Sequence, residues 1–403
     1  MTAASGTGRG SRNDARRAIP PSVLLVLVGL AISLVGPNLS LPASPHLILA
    51  IVLPGLVFEA AFRTTLEVLR PAAAGVLLLA IPGVVVVAAI VALVLATTTS
   101  LSIQESFVVG AMVAATDPAA VLSTFRSVAV PVRLATTVEM ESLVNDGTGI
   151  VLFVGALGVL TGGGSAAGAA AQFVVSLVAS TGLGVVLGRS MAVIVGHVHD
   201  HLTELALTGL LAYGAYLVAD AAGVSGVIST LAAATVFGAT GRGSLTKRTI
   251  ERIDIVWEWV AVLLTAAVFL LIGLSIAPQS LIHAAGPIAW GVVAILLGRA
   301  IVVYLLLGGA SQLVAWIGGR RTGSTASSEP RHMQIRLAWL HVLFWAGLRG
   351  AVSVALALSL PTDLPNRDLL QGITFGIVLF TLLVQGTTAP WVIRRTGASL
   401  EVA

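Results

Sequence analysis

The sequence predicts an all-α polytopic membrane protein, and three observations lead there. Of its 403 residues, 57% are hydrophobic and only 10% are charged, and the mean hydropathy is +1.00. The apolar residues fall in runs of about twenty, the length of a helix that crosses a bilayer, rather than in short alternating patches. Because the bilayer core offers the backbone no hydrogen bonds, such long runs favour helices over a β-barrel.

Composition excludes several functions. The sequence contains no cysteine, which removes disulfides, thiolate chemistry and Cys-ligated metals. The net charge of +4 comes from basic residues in loops and has a topological meaning, and we find no basic or aromatic nucleic-acid motif. His197, His199 and His201 form a loop cluster, for which a solvated loop is a simpler interpretation than a metal site. We therefore expect no cofactor and no nucleic-acid partner.

Twelve apolar segments are candidate membrane spans. The first, 20–35, follows a polar stretch rich in arginine and is predicted to be an uncleaved helix, because Gly36-Pro37 lacks a small-x-small cleavage site. The other segments, in order, are about 46–62, 72–97, 105–125, 134–160, 167–188, 203–219, 224–240, 256–276, 285–316, 336–360 and 368–392. The polar stretch Gly318–Arg336 is predicted to be a flexible connector between the tenth and eleventh spans.

The basic residues predict the orientation of these spans. If the N-terminus is cytoplasmic, nineteen of the twenty-two Arg and Lys residues lie on the cytoplasmic side, Arg367 lies in an outside loop, and Arg299 and Arg349 lie within spans. Cytoplasmic loops are enriched in Arg and Lys, and a miscounted span would invert this bias downstream of the error. The sequence therefore predicts a multi-pass protein of the cell membrane with cytoplasmic tails at 1–19 and 396–403.

The fourth span contains an acid at a predicted helix break, in Thr116-Asp117-Pro118. Pro118 disfavours the helical conformation for the residue before it and removes a backbone hydrogen bond. Broken helices at membrane depth line cavities, and their free carbonyl groups are suited to bind ions. The alternative is a helix cap at the membrane surface, against which the apolar residues on both sides argue.

The fifth span carries a polar patch. Ser142 and Asp146 lie four residues apart on one helical face, and Glu141 and Asn145 form the adjacent stripe. Oxygen ligands of this kind suit a small, hard cation. A carboxylate removed from water is costly as a bare charge, so we expect a proton and a metal cation to compete for Asp146, with Asp117 as its neighbour. The alternative is a helix start in a polar vestibule.

Two arginines and one more acid complete the candidate residues. Arg349, deep in the eleventh span, needs a buried anion, and Glu141 is the economical partner, with Arg299 as a second cation for that role. Snorkelling to the membrane surface is the alternative for both arginines. Glu59 is either a hydrogen-bond partner of Asn145 or a marker of the inner end of the second span.

These stretches resemble the monovalent cation:proton antiporters, in particular the sodium/proton exchanger branch with Asn-Asp in its ion-binding helix. The resemblance rests on Ala115–Pro118, Glu141–Gly147 and Gly347–Ala351, which follow the family's order and spacing, with support from Leu53–Ala61 and Val224–Val227. It implies an antiporter fold with inverted repeats, in which two broken helices cross, and a homodimer in the lipid bilayer.

The resemblance also implies a division of the membrane unit, 20–395. The core, ion-binding helices are expected at about 72–160, 256–276 and 336–395. The dimerisation helices are expected at about 20–62 and 167–240, with 285–316 as a linker helix at the interface. Many relatives have thirteen helices where the hydropathy of this sequence predicts twelve, and many carry a regulatory C-terminal domain, whereas this chain ends soon after Arg395.

The same resemblance assigns roles to residues. Asp146 is expected to bind both the monovalent cation and the proton, with Asp117, Ser142 and the Thr116 carbonyl as neighbouring ligands. Asn145 stands where the electrogenic branch has a second aspartate, which favours electroneutral one-for-one exchange. Glu141 and Arg349 are expected to form a structural ion pair.

The function expected from the sequence is secondary active transport. The chain would exchange Na⁺, and also Li⁺, for H⁺ by alternating access, and so serve pH homeostasis. A K⁺/H⁺ antiporter of the same fold is one alternative. An intramembrane aspartyl hydrolase is another, because it also needs two buried acids, but Asp117 precedes a helix-breaking proline and the sequence contains no Gly-x-Gly-Asp motif. We therefore expect a transporter and not an enzyme.

Overall fold

The computed structural model describes residues 21–35, 45–119, 121–122, 125, 130–198, 200–276, 278–312 and 336–397. Within these ranges the regular structure is helical, without a strand. Seven described helical segments, with Leu66–Thr98 counted as one, are long and apolar enough to cross a membrane, and shorter apolar helices accompany them. This confirms the predicted all-α membrane architecture. The N-terminal tail, His199, nearly all of the predicted connector and most of the C-terminal tail lie outside the described residues.

We number the described helices α1 to α15 in chain order. The first eight are α1 Pro21–Val35, α2 Pro45–Arg63, α3 Leu66–Ala80, α4 Pro82–Thr98, α5 Ile103–Ala114, α6 Val132–Leu160, α7 Ala166–Val195 and α8 His201–Ala221. The others are α9 Gly226–Thr240, α10 Lys247–Ser275, α11 Pro278–His283, α12 Ala285–Gln312, α13 Leu337–Trp345, α14 Ala351–Leu358 and α15 Arg367–Arg395. Each predicted span overlaps at least one of these helices.

Three predicted spans are interrupted. The third divides into α3 and α4 at Ile81, where Pro82 starts a new helix. The fourth ends its helix at Ala114, and the residues from Ala115 to Pro118 are not helical, which confirms the break predicted from the proline. The eleventh divides into α13 and α14 around the non-helical segment 347–350. The last two interruptions are the two broken helices of the predicted fold.

Two of the long helices contain a π-helical stretch, Ile301–Leu307 in α12 and Thr381–Gly386 in α15. Such widened turns occur frequently at functional sites. The stretch in α15 begins beside the second helix break, where Thr381 Oγ1 accepts a hydrogen bond of 3.0 Å from the backbone N–H of Arg349. The long helix α15 thus supports the broken helix formed by α13 and α14.

The helices pack in two layers. The first layer contains α3 to α6 together with α11 to α15, and the second contains α1, α2 and α7 to α10. The layers meet where α6 packs against α7 and α9, and where α14 packs against α2 and α10. Both broken helices therefore belong to the first layer, and the second of them also contacts the other layer.

Two helices pack differently from the predicted division. The segment 256–276, expected in the core, belongs to α10 and packs on α1 and α2 of the second layer. There a Cβ built on Gly29 of α1 would lie 3.0 Å from the Cα of Gly273, a backbone approach that small residues permit. The segment 285–316, expected as a linker, is mostly α12 and packs inside the first layer on α4 and α15. Which layer contacts a second subunit stays a prediction.

Candidate functional site

The two broken helices cross at their breaks. The backbone N–H of Asp117 donates a hydrogen bond of 2.8 Å to the carbonyl oxygen of Leu348, which joins the first break to the second. The last carbonyl groups of α5 and the first N–H groups of α14 have no partners within their own helices. Their partial charges, negative at the end of α5 and positive at the start of α14, therefore meet at the crossing and need compensation.

A charge of the opposite sign lies at each of these helix ends. Arg349 Nη1 donates to the carbonyl oxygens of Ala114 and Ala115, at 2.6 and 2.8 Å, at the C-terminal end of α5. The Asp117 carboxylate accepts hydrogen bonds from the backbone N–H groups of Ala119, at 3.0 Å, and of Ala351, the first residue of α14. Arg349 thus caps the C-terminal end of α5, and Asp117 caps the N-terminal end of α14.

The close approach at the crossing predicts a strong effect of Gly350→Ala. A Cβ on Gly350 would lie 2.6 Å from both the Cβ and the Cγ of Asp117, so a methyl group there forces the breaks apart. We expect the midpoint of thermal unfolding in detergent to fall by on the order of 5 °C, from an overpacking cost of about 1–3 kcal/mol. Gly209→Ala in α8 is the control, since its Cβ would meet nothing within 4 Å. Equal midpoints for both variants would contradict the close contact.

The predicted ion pair between Glu141 and Arg349 is wrong. Glu141 pairs with Arg299, whose Nη1 and Nη2 lie 2.5 and 2.9 Å from its two carboxylate oxygens. The side chains of Glu141 and Arg299 are only 1% and 5% exposed, and Arg299 Nη2 also donates to the carbonyl of Leu343, at 2.8 Å. Such two-point pairing suits the planar guanidinium group. Arg349 finds its negative partner in the carbonyl end of α5 instead.

A buried hydrogen-bond network joins α6 to the first break. Asn145 Oδ1 accepts from the backbone N–H of Thr116, at 3.1 Å, and Asn145 Nδ2 donates to Thr116 Oγ1, at 2.7 Å, and to Glu141 Oε1, at 3.4 Å. The hydroxyl oxygens of Thr116 and Ser142 lie 2.9 Å apart. Thr116 is therefore fixed to two successive turns of α6, as expected if it is to present an oxygen to an ion.

Glu59 lies near the end of α2, where it accepts a hydrogen bond of 2.7 Å from Arg63. Both hydrogens of Asn145 Nδ2 are used by Thr116 and Glu141. Glu59 is therefore not the partner of that amide group. The structure places Glu59 in the last two turns of α2, and whether this is the inner end of the second span stays a prediction.

A cavity of about 1060 Å³ reaches the crossing. Asp117, Asp146 and Thr116 are among the residues that line it. Glu141 and Asn145 are buried outside the cavity wall, each 1% exposed. The carboxylate predicted to exchange its ligands is thus accessible from the cavity, whereas the Glu141–Arg299 pair is sealed behind it.

The mouth of the cavity is acidic. Glu59, Glu139 and Glu258 line it together with Arg63, at the end of the bundle where α2 ends and where α6 and α10 begin. Glu139 and Glu258 were not among the residues predicted for the site. The signal that would have found them is an acid two or three turns inside a long, largely apolar helix.

The opposite end of the bundle is held by a different contact. Asn366, in the turn before α15, donates a hydrogen bond of 2.8 Å from Nδ2 to Glu105 Oε1 in the first turn of α5. Asn366 adopts a left-handed conformation with φ of 57°, and Glu105 also forms a capping box with Ser102. The first turn of α5 is therefore tied to the turn that precedes α15, at the end of the bundle away from the cavity mouth.

The charged side chains described around the crossing do not balance. Three carboxylates, Asp117, Glu141 and Asp146, face two guanidinium groups, Arg299 and Arg349, and Asp146 interacts electrostatically with three of the other four. One negative charge is left over. An uncompensated charge is costly where water is largely excluded. One proton or one monovalent cation at Asp146 would complete the balance.

The oxygen atoms at the crossing fit a hard cation. Carboxylate, hydroxyl and carbonyl oxygens are the ligands of such ions, whereas transition metals prefer imidazole and thiolate. Among the described residues there is no group of three or more His, Asp or Glu side chains arranged to hold a metal ion.

Nearly the whole chain matches one protein family. Residues 7–395 match the family described as sodium/hydrogen exchanger, transmembrane. The chain belongs to this exchanger family. The Na(+)/H(+) antiporter ApNhaP of Aphanothece halophytica is 37% identical to it, over 94% of this chain and 70% of the relative. The Na(+)/H(+) antiporter NhaH of Halobacillus dabanensis is 32% identical, over 94% and 92%.

A solved structure supports the fold of this exchanger-family member. The sodium proton antiporter MjNhaP1 from Methanocaldococcus jannaschii matches with a TM-score of 0.67 and 21% identity, over 93% of this chain and 92% of that one. The predicted antiporter fold is confirmed. Membership of the exchanger family makes the chain a transporter and not an enzyme, which removes the intramembrane aspartyl hydrolase from the alternatives.

Proposed function

We propose that this chain exchanges Na⁺ for H⁺ across the cell membrane, one for one, and that the two ions compete for Asp146. The observation that carries the proposal is the single unbalanced negative charge at the crossing, next to an acid that lines the cavity. The named activity of its relatives, Na(+)/H(+) antiport, supports Na⁺ as the cation. Li⁺ is the expected second substrate because it is also small and hard.

In the cation step, Na⁺ enters the acidic mouth and exchanges water for protein oxygens at the crossing. The carboxylate of Asp146 neutralises it, and the Thr116 carbonyl, freed by the helix break, supplies a neutral ligand. Asp117 adds negative charge while it caps α14. Ser142 lies behind Thr116 and fixes its side chain, so its contribution is to position the ligand.

In the proton step, H⁺ on Asp146 neutralises the same charge. A site that holds either ion carries no net charge and can pass the low-dielectric barrier, whereas the empty, charged site is held at the cavity. Because only the neutral site crosses the barrier, each crossing carries either Na⁺ or H⁺. Strict exchange therefore does not require both ions to be bound at the same time. The charges of Glu141 and Arg299 neutralise each other, and Asn145 adds no second titratable group beside Asp146. One H⁺ is therefore exchanged for one Na⁺.

The cavity that reaches the crossing supports a state open on one side. Its acidic mouth lies where α2 ends and α6 begins, which the distribution of basic residues predicts to be the cytoplasmic side. The hydrogen bond between Glu105 and Asn366 ties the other side. We propose that the site alternates between this state and one open to the outside, and that two copies of the chain form a homodimer.

Purified protein in liposomes with an imposed pH gradient tests the proposal. Addition of Na⁺ or Li⁺ should dissipate the gradient, reported by a pH-sensitive dye, and K⁺ should be much less effective. Clamping the membrane potential should leave the rate unchanged, because no net charge moves. A rate that follows the potential would refute one-for-one exchange. Equal activity with K⁺ would favour the K⁺/H⁺ alternative, and a gradient that no cation dissipates would refute antiport.

A further inference from the structure

Ser353, the third residue of α14, carries a buried hydroxyl group that no described protein group binds. The residue is 1% exposed, and its Oγ has no hydrogen-bond partner among the described residues. A buried polar group left in this state costs about 1–3 kcal/mol. Four other described serines share this state, Ser22, Ser106, Ser180 and Ser229, so the unpaired hydroxyl of Ser353 points to a ligand only together with its place in the fold.

The helix break explains why this hydroxyl is unpaired. A serine or threonine inside a helix usually returns its hydroxyl to the carbonyl four residues earlier, as Thr148 does to Val144 at 2.8 Å. For Ser353 that residue is Arg349, which precedes the start of α14 at Ala351 and is not helical. The start of the helix thus leaves the hydroxyl without its usual acceptor.

The unpaired hydroxyl lies at the ion site. Ser353 lines the same cavity as Asp117, Asp146 and Thr116. The turn of α14 that carries it is held to Asp117 by the backbone N–H of Ala351, two residues earlier. The position is therefore fixed close to a carboxylate that already belongs to the proposed site, and the charge of that carboxylate offsets the positive end of α14.

We propose that Ser353 Oγ is a ligand of the transported cation, contributed by the second broken helix. The other proposed ligands come from α6 and from the first break, so Ser353 extends the coordination to a third segment. A neutral hydroxyl strengthens the binding of a small cation and takes no part in binding the proton. Ser353 therefore sets Na⁺ affinity and the preference for Na⁺ and Li⁺ over K⁺. This inference rests on the proposed Na⁺/H⁺ exchange.

The test compares Ser353→Ala with wild type in proteoliposomes, over a range of Na⁺, Li⁺ and K⁺ concentrations and of pH. We expect the apparent KM for Na⁺ to rise about tenfold, as the loss of one hydrogen-bond-strength contact to a charge predicts. The preference over K⁺ should shrink. The pH at which protons begin to raise the apparent KM should stay where it is in wild type, because Asp146 still binds the proton.

Ser180→Ala is the matched control. Ser180 is also a buried serine without a described partner, at 0% exposure, but it lies in α7 and does not line the cavity. Its apparent KM should equal that of wild type. An unchanged KM in Ser353→Ala, or a lower maximal rate with an unchanged KM, overturns the ligand role. Wild-type protein that does not exchange Na⁺ for H⁺ overturns the proposed function as well.

Discussion

Asp146→Asn should reduce Na⁺-dependent proton exchange to the level of liposomes without protein. Asparagine has nearly the same shape but binds no proton and carries no charge. The charge left over at the crossing then disappears permanently, and neither Na⁺ nor H⁺ has a group to neutralise. Competition between the ions, and with it the coupling of their movements, is lost. Dissipation of an imposed pH gradient after addition of Na⁺ measures this directly.

The control for Asp146→Asn is the same change at an acid away from the cavity. Asp254 in α10 pairs with Arg242 at 3.5 Å, its side chain is 34% exposed, and it is not among the cavity-lining residues. Asp254→Asn should therefore exchange at the wild-type rate. Wild-type exchange by Asp146→Asn, in protein with an unchanged thermal unfolding midpoint, would disprove the role of Asp146.

Breaking the buried Glu141–Arg299 pair should have the second-largest effect, on stability rather than on transport alone. Glu141→Gln leaves the Arg299 guanidinium buried without its counter-charge, a loss of about 3–5 kcal/mol. We expect a marked fall in the yield of folded protein and in its thermal unfolding midpoint. Asp254→Asn, which breaks a partly exposed pair, should cost less than about 1 kcal/mol.

Double variants separate the two arginines. Glu141→Gln combined with Arg299→Met removes both buried charges and should recover part of the lost stability. Glu141→Gln combined with Arg349→Met should be less stable than either single variant, because Arg349 caps α5 independently of Glu141. Recovery in the Arg349 combination and not in the Arg299 combination would contradict the pairing.

The spans were predictable because burial in a bilayer depends on the length of an apolar run, which is a local property of the sequence. The break after Ala114 was predictable for a similar reason, since Pro118 acts on its own neighbours. The break before α14 has no proline, so its meaning came only from the family resemblance. The packing of α10 and α12 depends on contacts between distant helices, and hydropathy contains no information on it.

The candidate site also has a part that was predictable from the sequence and a part that was not. Ser142 and Asn145 lie on neighbouring turns of α6, and Thr116 lies in the first break, a segment close to α6 in sequence, so the contacts among the three are the local part of the site. The choice of Arg299 over Arg349 as the partner of Glu141 was not predictable from residue types. Both arginines are buried cations, and only the three-dimensional fold shows that one of them lies at the carbonyl end of α5. The transport roles of these residues stay predictions.

The size of the cavity bears on the form in which a cation approaches the site. A space of about 1060 Å³ holds roughly a few tens of water molecules, since each occupies about 30 Å³ in the liquid. A cation can therefore keep its hydration shell until it reaches the crossing. The cost of removing that shell is then met beside Asp146, where protein oxygens replace the water, and the cavity itself needs no selectivity.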